Sequence, residues 1–342
     1  MVTTLTQAPA DVRFPLVDKY GRVATDLRVS LTDRCNLRCQ YCMPAEGLDW
    51  MPTEQTLTDD EVVRLVRIAV ELLGVRQVRF TGGEPLLRRG LAGLVARTAE
   101  LEPRPTIALT SNGLGLARTA SALASAGLDR VNISLDTVRP DTFRQITRRE
   151  RLHDVVAGLA AAYDAGLHPV KVNAVLLRGV NDEQAGELLR WCVERGYQLR
   201  FIEQMPLDAQ HGWSRAAMVT ADEIVAALEQ TVQLTPVGRP RGSAPAEEFL
   251  VDGGPATVGV IASVTRPFCG DCDRVRLTAD GQVRNCLFAR DESDLRAALR
   301  AGASDDEIAR RWQSAMAPKL PGHGIDDVTF LQPDRPMSAI GG

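Results

Sequence analysis

The sequence predicts an α/β chain: successive βα units forming a parallel sheet, followed by a smaller α+β extension. Three observations carry this. Six short runs rich in valine, isoleucine and leucine alternate with amphipathic helical patterns as far as Glu203. The pattern changes after Pro206, where turns and strand-like runs take over. The length, 342 residues, exceeds one average domain but suits a large α/β unit with an appended lobe. With 44% hydrophobic and 25% charged residues, disorder and collagen-like repeats are excluded.

The expected strands are Leu27–Leu31, Gln77–Thr81, Thr106–Thr110, Arg130–Leu135, Val170–Leu176 and Gln198–Glu203. Their apolar content reads as burial on both faces. The first helix is the clearest: Thr58-Asp-Asp-Glu61 is a capping box, Val62, Leu65, Val66, Ala69, Leu72 and Leu73 form its apolar stripe, and Gly74 closes it. Parallel strands then require right-handed crossovers. Beyond Pro206, Thr220-Ala-Asp-Glu223 opens another helix, and Pro236–Pro245 is a Pro/Gly-rich loop. Strands are expected at Glu248–Val251 and Thr257–Ser263. A hairpin of Arg274–Thr278 and Gln282–Cys286 should turn at Ala279-Asp-Gly281. Two helices follow, the second capped by Ser304-Asp-Asp-Glu307. The chain is divided accordingly into an N-terminal extension (1–25), a sheet domain (26–206) and a C-terminal region (207–342).

The net charge of −4 argues against a nucleic-acid-coating surface. No stretch is long and apolar enough to span a membrane, and Met1–Ala10 lacks the basic start and apolar core of a secretory signal. A cytoplasmic protein, free of membrane and nucleic acid, is expected. Of its 40 basic residues only Lys19, Lys171 and Lys319 are lysines.

Seven cysteines in a reducing compartment do not form a disulfide framework. Six fall into two triples, Cys35-x3-Cys39-x2-Cys42 and Cys269-x2-Cys272-x13-Cys286. Cys192, inside a helical pattern, reads as a small core residue. Clustered thiolates select zinc or an iron–sulfur cluster. Zinc wants a fourth ligand nearby, and the nearest histidine to the first triple is His153. Three cysteines on a four-iron cluster leave one iron open to another ligand. The second strand runs into Thr81-Gly82-Gly83-Glu84-Pro85, glycines that let a backbone approach closely at the ligand-binding end of a parallel sheet.

Cys-x3-Cys-x2-Cys with Tyr41 before the last cysteine, followed by that GGEP, resembles the radical S-adenosylmethionine (SAM) superfamily. The resemblance implies a partial (βα)6 barrel of the TIM-like kind. In it, the open iron chelates the methionine end of SAM, and an electron splits SAM into methionine and a 5′-deoxyadenosyl radical. Asn132-Ile-Ser-Leu-Asp136, Arg200-Phe-Ile-Glu203, the Phe268–Gly281 segment and the Met337–Gly342 end narrow the match. These resemble the MoaA family, the GTP 3′,8-cyclases of molybdenum cofactor biosynthesis, from about Tyr20 to the last residue. Ser111 and Asp273 depart from the family's usual residues without removing a ligand.

What the resemblance implies is a [4Fe-4S] cluster on Cys35, Cys39 and Cys42, and a second on Cys269, Cys272 and Cys286 whose open iron takes the guanine of GTP. Tyr41, Gly83, Ser134 and Met205 would contact SAM. Arg28, Arg79, Thr110, Lys171, Arg200 and the Arg274-Val275-Arg276 segment would contact GTP, with Arg274, Arg276, Gly341 and Gly342 serving the reaction. The residues independently favour a polyanion, since Arg274 and Arg276 alternate onto one face and Lys171 and Arg200 are costly inward charges without a partner. A flavodoxin- or ferredoxin-type electron donor, a downstream cyclic pyranopterin monophosphate synthase and a homodimer are also implied. Two other readings stay open: a radical SAM peptide maturase or RNA modifier with an auxiliary cluster, and a non-catalytic iron–sulfur or zinc redox sensor. Nucleotide motifs of other kinds fail, for Asn112–Arg118 has arginine where a dinucleotide fingerprint needs its third glycine.

Overall fold

The computed structural model describes residues 12–341; Met1–Ala10, read above for a signal, and Gly342 lie outside them. Six parallel strands follow one another in space as they do in sequence: β1 (Asp26–Ser30), β2 (Gln77–Thr81), β3 (Thr106–Ser111), β4 (Arg130–Ser134), β5 (Lys171–Val175) and β6 (Gln198–Ile202). Crossing between them are α1 (Asp59–Glu71), α2 (Leu91–Ala99), α3 (Leu116–Ser125), α4 (Pro140–Thr147), α5 (Leu152–Asp164) and α6 (Ala185–Glu194). At the start of α1 both halves of the capping box form: Glu61 N donates to Thr58 Oγ1 at 3.2 Å, and Thr58 N donates to Glu61 Oε2 at 2.8 Å.

The strands alternate instead of burying apolar residues on both faces. Leu27, Val29, Val78, Phe80, Val172, Leu199 and Phe201 point outward into the core beneath the helices. Arg28, Arg79, Lys171, Asn173 and Arg200 point inward and line a cavity. The reason is geometric: a sheet that curls around a polar ligand space has only one apolar side. Residues of β1 to β6 and of two later strands all line that one cavity, so the sheet is curled into a partial barrel.

The C-terminal region adds α7 (Ala221–Glu229), β7 (Leu234–Pro236), β8 (Glu247–Val251), β9 (Thr257–Ile261), β10 (Arg274–Leu277), β11 (Gln282–Arg284) and β12 (Ser293–Asp294). It ends with α8 (Leu295–Arg300), α9 (Asp305–Met316) and the short α10 (Met337–Ile340). Its strands join both edges of the partial barrel: β9 pairs in parallel with β6, and β10 in parallel with β1. The outer pairs are antiparallel, giving the order β12-β11-β10-β1-β2-β3-β4-β5-β6-β9-β8-β7. Exposed edges of a parallel sheet carry unpaired N–H and C=O groups, and these additions satisfy them.

Cys192 lies on α6 with no solvent exposure, and burial pushes its thiol up. Cys192→Ala should cost about 1 kcal/mol through the lost packing of one small group. Iron content of the reconstituted protein should stay at the wild-type level. Loss of iron in this variant would mean that a ligand had been misassigned.

Candidate active site

The register of the central strands builds a wall of cations. Arg276 is the cross-strand partner of Arg28, and Arg28 of Arg79, so three guanidinium groups stand abreast on β10, β1 and β2. Lys171 on β5 and Arg200 on β6 continue the same inner face. The resulting cavity, about 620 Å³, is lined by nine basic side chains against two carboxylates, Asp26 and Asp273. Asp26 is shared between Arg28 (3.9 Å) and Arg274 (3.8 Å). Burial works against its charge, yet Arg28, Arg79 and Arg274 hold its carboxyl below the usual range.

Among the described residues these two carboxylates leave most of the cations without a counter-charge in the cavity. Buried Nε atoms of Arg28, Arg79 and Arg274 have no hydrogen-bond partner among the described residues. Burial first, and repulsion from Arg28 next, press Arg276 down to about 9 and Arg200 to about 10. Burial, then Arg200 and Arg130, press Lys171 down to about 8. Such a site is stabilised by a bound polyanion. Arg200 donates to Asn173 Oδ1 at 2.7 Å, and Asn132 Nδ2 donates to Thr110 Oγ1 at 3.3 Å, fixing polar groups on the cavity wall.

The first cysteine triple lies in the loop after β1, beside a cleft of about 160 Å³ at the C-terminal ends of the strands. Cys35, Cys39 and Cys42 are free and half-buried. Burial raises all three thiols, Cys42 to about 12, and at Cys39 Asp136 and the two neighbouring thiols act in the same direction. Thiols kept apart from disulfides and gathered on one cleft fit a cluster that is ligated as thiolates. Tyr41, Gly83 and Ser134 line the same cleft. Tyr41 donates its hydroxyl hydrogen to Asp136 Oδ2 at 2.9 Å.

The glycine pair after β2 clamps this loop. Gly83 N donates to Thr32 O, and Glu84 N to Arg34 O, each at 2.7 Å. A Cβ on Gly83 would stand 2.2 Å from Arg34 O, and Gly82 adopts φ +140° with Thr32 O only 2.4 Å from where its Cβ would be. Arg38 donates to Cys35 O and Leu37 O and lies over Trp50.

The second triple follows β9 and brackets β10. Cys269, Cys272 and Cys286 are likewise free and half-buried. Phe268, Asp273 and Leu287, their immediate neighbours, line the basic cavity. Burial works against a charged Cys272, but Lys319 and then Arg274 hold its thiol below the ordinary value. Arg274 lies over the Phe268 ring at 4.7 Å and donates to Ser243 O at 2.7 Å, so it ties β10 to the Pro236–Pro245 loop.

Two of the expected contact residues lie apart from the others. Val275 lies in the hydrophobic core with no solvent exposure, because strand alternation turns it away from Arg274 and Arg276. Met205 lines the basic cavity and not the cysteine cleft, since the chain leaving β6 carries it to the side packed by Met218 and Val264. Arg28, Arg79, Thr110, Lys171, Arg200, Arg274 and Arg276 all line the basic cavity.

The chain end lies between the two spaces. Met337 and Thr110 line both the cavity and the cleft, and Ser338 lines the cleft. Gly341, at φ +76°, accepts a hydrogen bond from Arg276 through its carbonyl oxygen. A Cβ there would stand 2.5 Å from Ser30 Oγ and 2.6 Å from Thr81 Cγ2.

Several residues with evident positioning roles escaped the sequence reading. Glu84, fully buried, accepts from Leu86 N, Ser111 Oγ and Asn112 N, joining the glycine turn to the end of β3. Glu203 accepts from Ala221 N, Val264 N and Thr265 N, fastening the end of β6 to α7 and to the segment leading to the second triple. Each stood inside a motif already singled out. The available signal was a carboxylate at a strand's C-terminal end.

The radical SAM superfamily profile matches residues 29–192, and that of Molybdenum Cofactor Synthesis C matches residues 197–325. A Streptomyces coelicolor protein named GTP 3′,8-cyclase is 68% identical over 328 residues, covering 96% of each chain. A Corynebacterium glutamicum protein of the same name is 60% identical, covering 98% of this chain and 91% of that one. Among solved structures, Streptococcus suis SuiB bound to S-adenosylmethionine matches 86% of this chain and 69% of its own. Its TM-score is 0.57 at 14% identity, a likeness of fold alone.

Proposed function

This chain belongs to the GTP 3′,8-cyclases of the radical SAM superfamily, and from that premise we propose how its residues divide the work. The observation that carries the proposal is the adjacency of a cysteine-bordered cleft and a cation-lined cavity that share Thr110 and Met337. Cys35, Cys39 and Cys42 would hold the cluster, which with SAM bound would supply a 5′-deoxyadenosyl radical there. Tyr41, Gly83 and Ser134 hold the SAM side, with Asp136 fixing the Tyr41 hydroxyl. Arg28, Arg79, Lys171, Arg200, Arg274 and Arg276 bind the triphosphate through charge-assisted hydrogen bonds. They orient GTP so that its ribose C3′ gives up hydrogen toward the cleft. C3′ then bonds guanine C8, and reduction completes (8S)-3′,8-cyclo-7,8-dihydroguanosine 5′-triphosphate. The tail excludes water from the junction.

Cys269, Cys272 and Cys286 would hold a second cluster, which would supply an iron site for the guanine. Its support is three free thiols whose neighbours line the cavity. We extend the proposal to a cytoplasmic homodimer reduced by a flavodoxin or ferredoxin, which passes its product to a cyclic pyranopterin monophosphate synthase. We also keep the division at 25/26 and 206/207. Anaerobic reconstitution followed by incubation with SAM, GTP and dithionite should yield 5′-deoxyadenosine and the cyclised nucleotide. SAM cleavage unaffected by GTP, with GTP recovered intact, would refute the assignment.

Lys171 gives the site a pH dependence. Below about 8 it is an ammonium able to meet phosphate, and above that it is a neutral amine. Bound triphosphate favours the ammonium, so GTP affinity should be level below its pKa. Between about pH 8 and 9 it should fall, approaching tenfold per unit. Lys171→Met should bind more weakly throughout and lose that slope, as calorimetry across the range would read. A slope unchanged in the variant would assign the titration to another group.

The tail is a working part in this proposal. Gly341→Ala adds a methyl where Ser30 and Thr81 leave no room, at a φ that disfavours side chains. It should displace the tail and abolish cyclisation while leaving the iron content unchanged. So should deletion of Gly341 and Gly342. Full cyclisation activity in both variants would make the tail a packing element only.

A further inference from the structure

Lys319 follows α9 and is almost wholly buried, at 2% exposure. Its Nζ donates to Arg274 O at 2.8 Å, to Cys272 O at 3.3 Å and to Cys272 Sγ at 3.4 Å. Three acceptors thus meet the three N–H bonds of one ammonium. No carboxylate joins them among the described residues, so the Cys272 sulfur is the group there that can answer this buried charge. In a chain of 40 basic residues with only three lysines, this is one of the three. A compact ammonium satisfies three acceptors converging from one strand and one thiol, which a planar guanidinium does not. At the first triple the corresponding donor is neutral: Asn112 Nδ2, 3.8 Å from Cys35 Sγ.

We propose that Lys319 is the fixed counter-charge of the second cluster, its ammonium hydrogen-bonding the Cys272 sulfur and raising the reduction potential of the cluster held there. The proposal rests on the two-cluster reading above. One-electron reduction makes a cluster more negative, and a buried cation with an N–H aimed at a ligand sulfur favours that state. Lysine therefore raises the second potential without touching the first, alongside Arg274, whose Nη1 donates to the same sulfur from 3.9 Å.

The test uses the full-length chain, reconstituted anaerobically, with Lys319→Met and Lys319→Gln. Iron is counted, and each cluster's potential is read by dithionite titration followed by electron paramagnetic resonance. Wild type should hold two clusters; a single cluster would end the two-cluster reading itself. In Lys319→Met the second potential should move negative while the first stays in place. Lys319→Gln, keeping an N–H donor without the charge, should move less far. Should the methionine variant fail to take up the second cluster, the glutamine variant carries the measurement. Two clusters with an unmoved second potential, or equal shifts in both, would overturn the role of Lys319.

Discussion

Serine at Cys35, Cys39 and Cys42 should remove about four irons per chain and abolish SAM cleavage, whereas serine at Cys269, Cys272 and Cys286 should remove about four irons and spare it. The asymmetry follows from where each triple lies. The first borders the cleft that holds Tyr41, Gly83 and Ser134, and the clamp of Gly82-Gly83 on Thr32 and Arg34 belongs to it alone. The second adjoins the basic cavity through Phe268, Asp273 and Leu287. Its loss should therefore weaken GTP binding and stop cyclisation while uncoupled formation of 5′-deoxyadenosine continues. Hydroxyls are poorer ligands than thiolates for iron–sulfur clusters, so the effect on iron should be large. Iron analysis and chromatography of the SAM products measure both halves. Loss of SAM cleavage from the second set, with the first cluster's iron retained, would contradict the division of labour.

Arg274→Ala and Arg276→Ala should each weaken GTP binding about ten- to a hundredfold, the effect of one or two charge-assisted hydrogen bonds at roughly 1.5–3 kcal/mol each. Beyond affinity the two should differ. Arg274 also ties Ser243 and stacks on Phe268, so its loss should loosen the Pro236–Pro245 loop and act mainly on KM. Arg276 also holds the Gly341 carbonyl, so its loss should lower kcat as well. Combining Arg276→Ala with removal of Gly341 and Gly342 should then add little to kcat beyond either change alone. Lysine keeps the charge without the planar fork, and should restore only part of the affinity. Calorimetry on reconstituted variants, with iron checked, reads these effects. Unchanged affinity in both alanine variants would leave these arginines as packing groups.

The strands were legible because each carries branched apolar residues between turn signals, and every end of β1 to β6 falls within a residue of its expected place. Burial of apolar residues on both faces was misjudged, although the inward charge of Lys171 and Arg200 was read and Arg28, Arg79 and Arg200 alternate visibly with the apolar residues. A buried strand and one wall of a polar cavity share the same outward face, and only the curl of the sheet separates them. The joining of β9 and β10 to opposite edges is non-local pairing, which composition and periodicity do not encode. At the site, the cysteines and basic strand residues were readable from spacing and from the cost of unpaired inward charge. Val275 shares its segment with Arg274 and Arg276 while alternation turns its side chain into the core, and Met205 lies past a strand end where no periodicity fixes direction. Lys319 had no motif around it; its meaning comes from Cys272 and Arg274, distant in sequence.

The central claim is that GTP in the cation-lined cavity presents its ribose C3′ to chemistry begun in the cysteine cleft. Incubating the reconstituted protein with SAM, dithionite and GTP deuterated at C3′ tests this most directly. Mass spectrometry should find the deuterium in 5′-deoxyadenosine, with the cyclised nucleotide formed in proportion. Unlabelled 5′-deoxyadenosine beside a nucleotide that keeps its deuterium would contradict the account.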